Sequence, residues 1–241
     1  MTIRQEIIRN RLLKALPPKV FATFLPHMRF VDLPARHVLV QADEPTTEVC
    51  FIESGLASVV AATIEDESIE VGHVGHEGMA GTHILLMVDQ TPNKTFMQVE
   101  GRGVQIPVQP FVELLSSEPN VRSFLLRYLH TTDLQLAHSA LANARYNMHE
   151  RLARWLLMCH DRLNGPDLPL THEFLSLMLG VRRSGVTNEL HVLEGIHAIK
   201  ATRGNVRIVN REKLLEIAGG CYGTPEREYE RVMDLAFVAF L

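Results

Sequence analysis

Thr171-His172-Glu173-Phe174-Leu175-Ser176-Leu177-Met178-Leu179-Gly180-Val181-Arg182-Arg183-Ser184-Gly185-Val186-Thr187-Asn188-Glu189-Leu190-His191-Val192-Leu193 decides how this 241-residue chain is read. Leu175, Leu179, Val186, Leu190 and Leu193 fall at helical intervals on either side of Gly180, so two short helices can bury one common face. Gly180 stands where a tight interhelical turn needs positive φ, Thr171 can cap the first helix, and small Ser176 lies where the helices cross most closely. This is helix-turn-helix spacing, in which the second helix enters the major groove of DNA N-terminus first. Its first turns present Arg182, Arg183, Ser184, Thr187, Asn188 and His191. Arginine bonds guanine in bidentate fashion and asparagine does the same with adenine, so these side chains suit base reading. The alternative is the solvated face of an ordinary helical pair. Glu189 departs from the motif, since its position is usually small or apolar.

The next segment supports the DNA reading. Residues 195–209 form two short apolar-alternating runs around Arg203-Gly204-Asn205, which predicts a hairpin turning on those three residues. A basic hairpin behind a recognition helix is a wing, able to hold phosphates through Arg203 and Asn205. Residues 181–211 carry six basic and two acidic side chains, net +4, whereas residues 30–120 carry three basic and fourteen acidic, net −11. The whole chain is at −4, which argues against a non-specific nucleic-acid coat and permits one small directed surface.

Upstream, residues 2–16 and 19–28 read as two helices separated by Pro17-Pro18. Residues 30–110 change texture: short β-rich runs such as Val49-Cys50-Phe51-Ile52, Ala57-Ser58-Val59-Val60 and Thr95-Phe96-Met97-Gln98-Val99 alternate with turn residues. Strands of that spacing predict an antiparallel roll. Residues 111–115 make a short helix. From 119 to 146 there is no glycine and no internal proline, and Val121, Leu125, Tyr128, Leu129, Thr132, Leu136 and Ala140 recur at three- and four-residue steps. Such a helix is about 40 Å long, more than a small domain buries, so the stripe is expected to pair with a second copy; packing along the β domain or linking two domains are the alternatives. Residues 151–158 form an amphipathic helix closed by Asn164-Gly165-Pro166, Leu168-Pro169-Leu170 resembles a short strand, and residues 225–241 read as a last helix.

The fold class expected is therefore α+β: an N-terminal antiparallel, jelly-roll-like β-roll over residues 1–118, a long dimerisation helix and linker over 119–146, a winged helix-turn-helix over 147–222 and a C-terminal helix over 223–241. No apolar run is long enough to span a membrane and no apolar signal core follows the N-terminus. The three cysteines, Cys50, Cys159 and Cys221, exclude a disulfide scaffold and argue against an iron–sulfur site. A cytoplasmic protein is expected.

The order of parts resembles the CRP/FNR superfamily of bacterial transcription factors over almost the whole chain. The resemblance rests on Phe51-Ile52-Glu53-Ser54-Gly55, Val74-Gly75-His76-Glu77-Gly78-Met79-Ala80-Gly81, Arg151-Leu152-Ala153-Arg154-Trp155-Leu156-Leu157-Met158 and Met178-Leu179-Gly180-Val181-Arg182-Arg183-Ser184-Gly185-Val186-Thr187. It implies a homodimer reading a pseudo-palindrome, with Arg183, Ser184 and Asn188 as principal base readers and RNA polymerase as a further partner. Familiar members carry Glu and Arg where Ser184 and Asn188 stand, so a different operator is implied. Where nucleotide-binding members hold ribose with Gly-Glu and phosphate with Arg-Ser/Thr, this chain has Gly81-Thr82 and Lys94-Thr95. The missing carboxylate and the exchange of arginine's fork for lysine argue against a cyclic nucleotide, although Asn93-Lys94-Thr95 could meet an anion. No cofactor is evident, and no cysteine precedes Cys50 to hold an iron–sulfur cluster. Arg36 and Asp43 also depart from the family, standing where the roll usually turns on glycine.

Two other readings compete: a cupin-like metal enzyme using His73, His76 and His83, where Glu77 stands in the same loop as a further candidate metal ligand, and a nucleotide-responsive module that binds protein. The cupin ligand order is absent and no nucleophile–base or phosphate-loop motif appears, so no catalytic residue and no metal site is assigned.

Overall fold

The computed structural model describes residues 3–65 and 68–234. The N-terminal segment is not the continuous helix expected: a 3-10 turn at Gln5–Ile7 is followed by α1 (Arg11–Ala15). Asn10 is the cause. Fully buried, it donates to the carbonyls of Ile52 (2.9 Å) and Gly78 (2.7 Å), and its Oδ1 accepts from the N–H groups of Leu12 and Leu13. Glu53 accepts the N–H groups of Arg9 and Asn10. A side chain that caps α1 while bonding the roll interrupts the helix at that point. Then comes α2 (Pro18–Phe24), which starts on the second of the two prolines expected as a separator and ends before the expected residue 28, in a 3-10 turn at Leu25–His27.

Six strands form one antiparallel roll: β1 (Arg29–Leu33), β2 (Val38–Val40), β3 (Glu48–Ala62), β4 (Ser68–Val74), β5 (Met79–Ala80) and β6 (Lys94–Pro107). The order is β1-β6-β3-β4, with β2 on β6 and β5 on β3. The runs expected as separate strands on either side of Gly55 and Gly101 are single long strands, β3 and β6, with register shifts near those glycines. At Gly101 a Cβ would stand 1.9 Å from the Ser54 carbonyl oxygen, so the two backbones cross there at a distance only glycine allows. Arg36 (φ 70°) and Asp43 (φ 58°) do adopt the left-handed conformation that made them conspicuous.

α3 (Val108–Ser117) leads into α4 (Pro119–Arg145), the long helix expected. Its apolar stripe divides between two surroundings. Val121, Leu125 and Tyr128 are buried in the chain's own core with Phe24, Phe51, Met79 and Phe111, so these three are corrected from pairing residues to packing residues. Leu129 and Thr132 are half-buried, while Leu136 (40% exposed) and Ala140 lie on the free face with Ala137, Leu141 and Ala144.

α5 (Met148–Arg162) opens with an Asn147/Glu150 capping box. β7 (Asp167–Leu168), α6 (His172–Leu179), α7 (Arg183–Gly195), β8 (Ile199–Thr202) and β9 (Asn205–Ile208) follow, with sheet order β7-β9-β8. The sequence reading did not foresee β1 or α8 (Arg211–Ala218), which packs on α5. The last described helix, α9 (Thr224–Asp234), returns to α4, and Arg11 grips Glu230 in a bidentate pair at 2.6 and 2.7 Å. Of the helix expected to Leu241, residues 235–241 lie outside the described residues.

The core of the C-terminal half extends into the roll: Leu56 and Val99 belong to the same buried cluster as Leu152, Trp155, Leu175 and Leu190. Burying each such side chain contributes about 1.5–3 kcal/mol. Polar contacts follow the same seam, with Trp155 Nε1 donating to Glu70 (3.0 Å) and Arg162 to Glu77 (2.6 Å). Among the described residues no helix is long and apolar enough to cross a membrane.

Candidate nucleic-acid interface

The helix pair is built as the sequence specifies. Thr171 Oγ1 accepts the Phe174 N–H, and Gly180 (φ 61°) closes α6 with its N–H directed to the Leu177 and Ser176 carbonyls. Arg151 Nη2 adds a 2.6 Å bond to the Leu179 carbonyl, fixing the turn against α5. Leu175, Val186, Leu190 and Leu193 are at most 1% exposed, so the opposite face of α7 is turned outward.

That outward face holds Arg183, Ser184, Asn188 and His191, all exposed and within the first turns of the helix. Arg182 is the exposed N-cap residue. Thr187 differs: it is half-buried, its hydroxyl donates to the Arg183 carbonyl (3.1 Å), and His172 Nδ1 lies 3.0 Å from the same oxygen. Because the hydroxyl proton is already given to the carbonyl, the imidazole is the donor. Thr171 and Arg182 border a cleft against the roll, where Ile69 of β4 would lie 3.1 Å from a Cβ on Gly180.

The wing turns tightly on Arg203 and Gly204, since Thr202 and Asn205 are already a ladder pair. Arg203 is exposed, whereas the Asn205 amide donates to Asp167 Oδ1 at 3.1 Å. Arg207 also reaches Asp167, loosely, at 3.7 Å. Arg211 is spent on Asp161 (2.6 Å) and Tyr222 (3.0 Å). Arg182, Arg183, Lys200 and Arg203 make no ion pair among the described residues and are the cations available to phosphate or base. Sequence reasoning missed His172 and Asp167 as holders of Thr187 and Asn205. It also missed His149, whose Nδ1 lies 2.9 Å from Glu189 Oε2 and explains the odd acid in α7.

The effector-pocket residues divide. Gly81, Thr82 and Thr95 line a cavity of about 190 Å³ between the roll and α4, together with His73, His83, Asp133 and Leu136. Lys94 does not line it; it is the first residue of β6, paired with Val60. The four side chains considered for metal are separately engaged: His73 with Glu70 (3.0 Å), His83 with Thr46 (2.9 Å), Glu77 with Arg162, and His76 with the Arg162 carbonyl (3.3 Å). Among the described residues no three metal-ligating side chains converge. Burial lowers the pKa of His83, and burial together with the charge of Arg162 does the same for His73, so both rings are neutral. The cysteines are free and buried.

Residues 150–217 match the model of the Crp-like helix-turn-helix domain. No curated protein sequence matches the chain. Among solved structures, FixK2 from Bradyrhizobium japonicum superposes with a TM-score of 0.70 at 14% identity, covering 80% of this chain and 98% of that one. The c-di-GMP-responsive global regulator CLP from Xanthomonas campestris gives 0.64 at 18% identity over 86% and 100%. A CRP/FNR-family transcriptional regulator from Thermus thermophilus gives 0.63 at 20% identity over 79% and 98%. At these identities the likeness is one of fold.

Proposed function

From a chain that sets a Crp-like helix-turn-helix domain on the fold of the CRP/FNR transcription regulators, we propose a homodimer that reads a pseudo-palindromic DNA site with two copies of α7. The observation that carries this reading is the exposed face of α7, where Arg183, Ser184, Asn188 and His191 stand together over a buried apolar face. Arg183 and Asn188 supply bidentate contacts to base edges and Ser184 a single one. Arg203 and Lys200 of the wing hold phosphate, positioning the helix without sequence preference. Thr171, Arg182, Thr187 and Asn205 act at the margin of this surface, Thr187 and Asn205 through the orientation that His172 and Asp167 give them.

Two copies pair through the free face of α4, with Leu136 and Ala140 facing a partner and the half-buried Leu129 and Thr132 at its edge. In this reading the roll (residues 1–118) senses, α4 (119–146) couples, and residues 147–222 bind DNA, with α9 strapping the last part to the first. The cavity behind α4 is the effector site, and RNA polymerase is the further partner of the DNA-bound dimer. Selecting bound sequences from a random duplex pool tests the proposal: a two-fold symmetric site with half-sites about one helical turn apart is expected. A pool that stays unenriched, or an asymmetric single site, refutes it.

A further inference from the structure

Among the described residues that line the cavity between the roll and α4 there is no arginine or lysine. The one formally charged side chain is Asp133, exposed on α4 and without a hydrogen bond or ion pair to any described residue. Phosphate is held by arginine forks, lysines or clustered N–H groups, so a cavity whose only charge is negative disfavours an anionic ligand. Its size points the same way: about 190 Å³ is below the roughly 300–1,000 Å³ of sites that take drug-sized ligands, the class to which nucleotides belong.

His73, which lines this cavity and two neighbouring hollows, asks for a donor. His73 is 3% exposed, and its Nδ1 lies 3.0 Å from Glu70, whose carboxylate also accepts the Trp155 indole N–H. A neutral imidazole bonded to a carboxylate through Nδ1 keeps its proton there, so Nε2 is a bare lone pair. That atom has no partner. A buried acceptor left unmet costs free energy that a donor-bearing ligand recovers.

We propose that this cavity takes a small organic cation carrying N–H donors, seated with its charged head between Asp133 and His73 and its body against Leu129 and Leu136. The proposal rests on the regulator reading above and names the chemical class of its effector. It also gives the ligand a way to act. Asp133 lies between Leu129 and Leu136 on the free face of α4, so a seam between two copies brings two carboxylates together. A cation bound beside each carboxylate removes that repulsion and favours the pair.

Isothermal titration of the full chain with benzamidine, its neutral analogue benzamide and cyclic AMP tests this. Benzamidine is expected to bind at least about tenfold more tightly than either of the others, and Asp133→Asn to lose about tenfold for benzamidine alone, the loss of one charge-assisted contact. Asp133 is exposed and unpartnered, so the variant keeps its fold. Sedimentation should show benzamidine tightening self-association of the wild type and not of the variant. Absence of benzamidine binding, equal binding by Asp133→Asn, or tighter binding of cyclic AMP overturns the inference and leaves symmetric DNA binding intact. Loss of enrichment in the duplex selection falls instead on the regulator reading.

Discussion

Replacing Arg162 with methionine should destabilise the fold by about 3–5 kcal/mol near neutral pH, and by less in acid. Arg162 ends α5 and reaches the Gly75–Glu77 turn of the roll, its Nε 2.6 Å from Glu77 Oε1, with the two side chains only 11% and 13% exposed. Removing one partner of such a pair strands a buried charge, which accounts for the magnitude. Against a total of about 5–15 kcal/mol for a typical domain, that is a large fraction. The acid dependence follows from Glu77. Burial alone would raise its pKa, but Arg162, the Gly75 N–H and its own backbone N–H hold it below the usual carboxylate value. In the wild type, Glu77 therefore adds stability that is present above the unfolded pKa of about 4.3 and is lost as pH falls through the lower folded value. Without Arg162, burial prevails and the folded pKa rises above the unfolded one. The contribution is then present in acid and lost as pH climbs, so the gap between the two proteins widens from about pH 4 to about pH 7. Urea titration at both pH values, followed by fluorescence of the single tryptophan, measures it. Trp155 is suited to report the seam, being 5% exposed, bonded to Glu70 and 5.7 Å from the Phe174 ring. A cost under about 1 kcal/mol, the range of exposed pairs, or one that is equal at both pH values would refute the reasoning.

Four further outcomes are expected. Arg183→Ala should cost about 1–3 kcal/mol at the selected DNA site and relax base preference at one position, read by fluorescence anisotropy across single-base variants. Arg203→Ala should weaken all duplexes nearly alike and reduce the slope of log affinity against log salt by about one phosphate's worth. Leu136→Glu should yield a monomer by light scattering with the fold retained by circular dichroism, because this side chain is 40% exposed and outside the chain's own core. Gly101→Ala should destabilise by about 3 kcal/mol or more in chemical denaturation, since its Cβ would stand 1.9 Å from a backbone oxygen that cannot swing aside.

The helix-turn-helix was legible because its determinants are local. Gly180 must take positive φ, Thr171 must cap, and five aliphatic side chains must share a face; all of this is contained within 23 residues. The roll was legible only in outline. Glycine signals both a turn and a close backbone crossing, and sequence alone does not say which applies at Gly55 and Gly101. Asn10 shows the same limit at a helix start: its bonds to Ile52 and Gly78 join positions more than forty residues away. Along α4 the period was right, but a periodic stripe does not name what covers it. Val121, Leu125 and Tyr128 meet the roll and α3, while Leu136 and Ala140, on the same period, are exposed.

On the outward face of α7 the residue types were visible and their commitments were not. Ser184 and Asn188 point outward with no partner among the described residues, yet Thr187, equally polar and one turn on, is held by the Arg183 carbonyl and His172. A helical threonine four residues after a carbonyl commonly bonds back to it, so that much could have been anticipated. The hold of His172 could not, because it needs the crossing of two helices. Glu189 makes the consequence plain. On the reading proposed above, an unpaired acid in α7 would repel the phosphates assigned to Arg203 and Lys200, but this one is half-buried and turned toward His149 of α5, 40 residues away. Its charge is thus directed into the protein's own seam, and the exposed side chains at the start of α7, Arg183, Ser184 and Asn188, include no acid.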